Sequence, residues 1–229
     1  MYATARLSCL GDLMLLNPDL LLAYLAVATL LALSPGPDTM FVLASSASGG
    51  SRKGVAATLG ISSGSIVHAS AAALGISALI AASPVAFDVL RLGGALYLAW
   101  IGAQALYRLW RGLRDDVGLP KAATISVAAA YRRGFVTNVL NPKVAIFYVA
   151  FLPQFADVSL GHVPLQIFLL GCIHNAIGTL WLTALAMASG RLAQTLARSG
   201  RARAWLDGTA GAVYLILAAR IVFLERRTV

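Results

Sequence analysis

Apolar length constrains this chain more than any other feature. Six stretches, at about 20–47, 54–82, 87–107, 134–155, 163–188 and 208–224, approach or exceed the ~20 helical residues that cross a bilayer's hydrocarbon core. Inside lipid no water can satisfy backbone N–H and C=O groups, so such stretches fold as helices. The longest polar link, roughly 108–133, is too short to fold alone. Composition agrees: 59% of the 229 residues are hydrophobic and 12% charged, against about a quarter charged in a soluble domain. The mean hydropathy is +0.79. The expectation is an all-α integral membrane protein of six transmembrane helices. A single domain over 14–229, with halves at about 14–110 and 130–229, follows an extension of residues 1–13. The extension has no clear role, and "MLLNPDLLLAYLA" from Met14 already makes a complete approach to the first span. "ALS" at Ala32–Ser34 resembles a signal-cleavage site, but Pro35 and the apolar stretch from Met40 argue against cleavage.

The formal net charge of +9 invites a nucleic-acid reading, and its distribution excludes it. Of 18 Lys and Arg, 12 fall in links 1–2, 3–4 and 5–6: Arg52, Lys53, Arg108, Arg111, Arg114, Lys121, Arg132, Arg133, Arg191, Arg198, Arg201 and Arg203. Arg6, Arg91, Arg220, Arg226 and Arg227 fall at or near the other side. Basic links stay cytoplasmic, so both termini should lie outside. Arg108, Arg111 and Arg114 should meet anionic lipid heads. Cys9 and Cys172 are too far apart to suggest a disulfide or a metal spacing.

A weak internal repeat runs through the apolar stretches. "LSP" at Leu33–Pro35 recurs as "LNP" at Leu140–Pro142, and "GALYL" at Gly94–Leu98 recurs as "GAVYL" at Gly211–Leu215. Spans 1–3 then correspond to spans 4–6. Three spans are an odd number, so the halves enter the membrane from opposite sides, an inverted-topology repeat.

Proline breaks the first and fourth spans of this repeat. Pro35 and Pro37 withdraw hydrogen bonds from the Leu31 and Leu33 carbonyls. Ser34–Pro35 and Asn141–Pro142 each pair a capping residue with proline, so each reads as a helix start inside the membrane. A helix start carries free N–H groups and a positive dipole end, which suit a carboxylate. Asp38 and Lys143 adjoin these breaks, at depths where a charge costs roughly 2.5–3.5 kcal/mol. Either the two form a fixed ion pair, or Asp38 receives the ammonium and Lys143 the carboxylate of a zwitterion. Asp38 and His68 are the candidates for carrying a proton. Asn138, His174 and Asn175 are further polar residues inside spans, and the Gly60–Gly64 face suits close helix packing.

"LSPGPDTMFVL", the "GxxxGxxxH" of Gly60–His68, "GGALYLAWIGA" at Gly93–Ala103 and "GFVTNVLNPKVAIFYVAFLPQF" at Gly134–Phe155 resemble the LysE/RhtB family of amino-acid exporters. The resemblance covers the chain from about Met14 to Phe223 and leans toward the homoserine, threonine and lactone exporters. It implies efflux of amino acids or related metabolites across the bacterial inner membrane in exchange for protons. It places the family's motif positions at Pro35, Gly36, Pro37, Asp38, Asn141, Pro142 and Lys143. The expected partners are a small-molecule substrate, protons and membrane lipid, with a homodimer left open and no cofactor or nucleic acid. A divalent-metal exporter would need more ligands than Asp38, His68 and His174. An intramembrane enzyme would need a base in register with Ser34, Ser45 or Ser62. Both remain alternatives, and the expectation is a transporter rather than an enzyme.

Overall fold

The computed structural model describes residues 15–34, 36–111, 125–188, 208–209, 211–216, 218–219 and 222. The 1–13 extension, Pro35, Arg114, Lys121, Arg226, Arg227 and the basic residues of link 5–6 lie outside these, as does Arg220. Among the described residues every regular element is helical. The order is α1 (Pro18–Leu33), α2 (Pro37–Ala82), α3 (Pro84–Trp110), α4 (Val127–Val139), α5 (Pro142–Ile146) and α6 (Val163–Met187). A π turn, Phe147–Phe151, and a 3-10 turn, Leu152–Phe155, prolong α5. A second 3-10 turn, Val158–Leu160, precedes α6. The described residues between 208 and 222 are helical.

Side-chain caps start four of these helices. The oxygens of Asn17, Ser83, Ser126 and Asn141 accept from backbone N–H groups of the first turns of α1, α3, α4 and α5. Proline follows directly in three of them, where its missing N–H costs nothing. The start of α2 differs from the sequence expectation. Ser34 does not open a helix: it closes α1, its N–H reaching the Leu30 and Leu31 carbonyls. The next helix opens at Pro37, with Gly36 as a cap that has no side-chain bond. The physical reason is the second proline. Pro37 bars the residue before it from the α region, and Gly36 is extended at φ −158°, ψ −174°.

Two link boundaries also move. The expected first link is helical except at Gly49 (φ −149°, ψ 19°) and Gly50 (φ 74°, ψ 178°), where α2 turns. Gly50's positive φ is a conformation that only glycine adopts freely. The expected third link ends early, because the Ser126 cap starts α4 at Val127 and takes Arg132 and Arg133 onto the helix.

Among the described residues, two segments are long and apolar enough to cross a bilayer, Pro37–Gly75 within α2 and Val163–Met187. Val127–Val139 and Pro142–Phe155 qualify together, bent by 50°. The apolar α1 has 16 residues, about 24 Å at 1.5 Å per residue. Large apolar side chains face outward, with Leu22 72% and Leu180 73% exposed. That is the surface of a protein solvated by lipid rather than water.

Glycines set the closest helix approach. α2 packs most extensively on α4 and α6. A Cβ on Gly60 would overlap the Tyr131 carbonyl oxygen, and one on Gly134 would overlap that of Ala57. The backbones of α2 and α4 therefore touch at a reciprocal glycine crossing. The buried apolar residues form two clusters. One holds Tyr24, Phe147, Tyr148, Phe151, Phe155 and Leu170. The other, of smaller residues, holds Val42, Ala57, Ile61, Leu182 and Leu185.

Candidate functional site

A cavity of about 70 Å³ opens where these clusters meet, lined by Leu31 and Phe147 of the first and by Ile61 and Leu182 of the second. That is room for several waters. Its polar wall comes from the chain between α1 and α2, the first turn of α2 and the bend between α4 and α5. Most of the residues singled out from the sequence converge there. Ser34, Gly36, Asp38, Asn138, Asn141, Lys143, His174 and Asn175 line the cavity. Pro37 and Pro142 do not; they stand exposed at the first positions of their helices. His68 stands behind the wall, its Nε2 3.2 Å from the Asn138 carbonyl oxygen. A carbonyl only accepts, so this geometry sets the proton on Nε2.

Asp38 and Lys143 are held separately. Asn138 Nδ2 donates to Asp38 Oδ2 at 2.7 Å, and Asn141 Nδ2 donates to Asp38 Oδ1 at 3.2 Å. Lys143 Nζ donates to the Ser34 carbonyl oxygen at 3.3 Å and to Ser34 Oγ at 3.2 Å. It also lies 5.6 Å from the centre of the Tyr214 ring, within cation–π range. Among the described residues, no direct ion pair joins the two. Each charge keeps uncharged partners instead. The carboxylate sits in the first turn of α2, where the helix dipole favours it. The ammonium sits in the first turn of α5, where the dipole opposes it, which explains its reach back to Ser34.

Asn141 serves twice. Its Oδ1 caps α5 by accepting from Lys143 N at 3.1 Å, while its amide N–H reaches Asp38. Asn138 is 1% exposed and also accepts from Ser65 Oγ at 3.4 Å. On α6, Thr179 Oγ1 donates to Asn175 Oδ1 at 3.3 Å, and the Phe147 ring lies 4.4 Å from that of His174. The buried His174 Nδ1 has no partner among the described residues. On the aromatic side, Tyr24 and Tyr148 hydroxyls donate to the successive carbonyls of Leu170 and Gly171, at 2.7 and 3.1 Å.

Several residues of this wall escape a sequence reading. Gly178 and Thr179 carry no charge and sit in no motif, and Thr39 and Ser65 are uncharged positions inside motifs read for other residues. Tyr214 offered one signal, its place in the repeated "GAVYL" element.

The LysE type translocator family matches residues 29–224 of the chain. A leucine efflux protein of Klebsiella pneumoniae is 32% identical over 205 residues, covering 89% of this chain and 95% of that protein. An uncharacterized membrane protein of Pseudomonas aeruginosa is 31% identical over 193 residues, covering 84% and 89%. A leucine efflux protein of Salmonella typhimurium is 29% identical over 202 residues, covering 88% and 94%. No solved structure matches the chain.

Proposed function

The chain belongs to the LysE type translocator family, and from that premise we propose that it exports neutral amino acids of the leucine class from the bacterial cytoplasm by proton antiport. The observation that carries this reading is the pair of separated charges, Asp38 and Lys143, on the wall of one cavity. The names of the relatives support leucine or a close analogue as substrate. On this reading Asp38 receives the substrate's ammonium, in place of part of the Asn138 and Asn141 bonding. Lys143 turns from Ser34 to the carboxylate, helped by the N–H groups at the start of α2 beside Gly36 and Pro37. Asn141 and Pro142 shape the start of α5 beside Lys143. The neutral partners keep both charges satisfied when the cavity is empty.

The architecture proposed around the site is six spans in two inverted halves, about 14–110 and 130–229. α1 with α2 up to Gly49 forms span 1, broken at Ser34–Gly36. α4, α5 and the turns to Phe155 form span 4, broken at Leu140–Asn141. Access alternates as one half moves against the other in the inner membrane, with both termini periplasmic. Protonation has to favour a different state from substrate for coupling to arise. Asp38 is the first candidate for that proton, with His68 and His174 behind it.

The test is substrate-driven proton movement in liposomes, measured for wild type, Asp38→Asn, Lys143→Met and the double variant. Wild type should couple efflux to protons, and Asp38→Asn should lose the coupling. The double variant should insert at normal abundance and not transport. Robust coupled efflux by the double variant would overturn the assignment of both charges.

A further inference from the structure

We propose that Gly178 sets the size of the side chain that the cavity accepts; the inference rests on the amino-acid export reading above. Gly178 lies inside α6, where glycine is a less stable choice than alanine. A glycine in that position usually admits a close neighbour, and here there is none. A Cβ built on Gly178 meets no heavy atom within 4 Å. Gly171 on the same helix is the contrast. Its Cβ would stand 2.7 Å from the Ala69 Cβ and 3.0 Å from Tyr148 Cε1, so there the absent side chain serves packing.

The open space at Gly178 belongs to the cavity, since the residue lines it. His174, Gly178 and Leu182 recur every four residues and so form one line on α6, all three on the cavity wall. Leu182 and Ile61 make the apolar part of that wall, each nearly fully buried. The polar part holds the charged ends of the substrate, at Asp38 and Lys143. The hydrocarbon side chain then has one wall to meet that is apolar and carries a missing side chain, the α6 face at Gly178. The volume that a Cβ and its branches would fill is the volume left for the substrate.

A graded series tests this. Gly178→Ala and Gly178→Val are compared with wild type for efflux of alanine, valine and leucine from loaded proteoliposomes, at matched protein content. A pocket discriminates by about 10–200-fold per methylene at a tight wall. The leucine-to-alanine efflux ratio should fall in order of added volume, by at least tenfold for Gly178→Val. Membrane abundance of Gly178→Ala should equal that of wild type, whereas Gly171→Ala should lower it. An unchanged ratio in Gly178→Val, or a loss of abundance in Gly178→Ala, would overturn the assignment and leave the export reading standing. A wild type that moves none of the three amino acids would overturn the export reading, and this assignment with it.

Discussion

Asn138 ties the site together more than either charged residue does. Its amide donates to Asp38, its side-chain oxygen accepts from Ser65, and its carbonyl meets His68. Gly64 makes room for it, since a Cβ there would lie 2.7 Å from Asn138 Oδ1. Asn138→Leu keeps the volume and removes the donor. A hydrogen bond to a charged group is worth about 1.5–3 kcal/mol. Asn138→Leu should therefore slow efflux at least tenfold while its abundance in the membrane stays near normal. Initial efflux rates normalised to protein would check this, and a wild-type rate would remove Asn138 from the site. The sequence singles out Asp38 and Lys143 readily, because a charge inside an apolar stretch has a large cost. It ranks Asn138 lower, because an uncharged amide in a membrane helix bonds a neighbouring helix as readily as a ligand. Only the crossing of α2 and α4 distinguishes the two roles. The neutral partner of Lys143 was beyond reach for the same reason: Ser34 and Lys143 are 109 residues apart.

At the scale of elements, one helix start was legible where a capping residue precedes proline, at Asn141–Pro142. Another was misplaced where two prolines compete, at Pro35 and Pro37. The π turn at Phe147–Phe151 has no side-chain signature at all. It packs against α3. The Gly60 pattern did announce close packing, and its partner Gly134 belongs to "GFVTNVLNPK", a stretch notable in sequence for other reasons. Gly134→Val forces a side chain against the Ala57 backbone, which cannot yield as a side-chain tip can. Overpacking of this kind costs about 1–3 kcal/mol. Gly134→Val should lower both membrane abundance and the midpoint of thermal unfolding in detergent. Gly75→Ala on α2, where an added Cβ meets nothing, should leave both unchanged. Equal behaviour of the two variants would mean that the glycine crossing does not hold the helices together.

For the whole molecule, the class was legible and the span count less so. Apolar length and sparse charge announce membrane helices, whereas α1 falls short of a bilayer's thickness by itself and counts only with the first part of α2. Reporter fusions at Val117 and Val229 test the orientation drawn from the 12 basic residues of links 1–2, 3–4 and 5–6. Val117 should report cytoplasm and Val229 periplasm; cytoplasmic activity at Val229 would sink the count of six. The separated charges of the site have a consequence at this scale too. Asp38 and Lys143 carry opposite charges and line one cavity without touching, which makes its wall dipolar. A zwitterion adds no net charge when it settles between them. On the proposed reading the electric field therefore does no work on the amino acid itself. If the exchange proposed above is with a proton, the voltage, at about 2.3 kcal/mol per elementary charge per 100 mV, acts on that proton. Under that proposal, membrane potential is the source of power for expelling a molecule that carries no net charge.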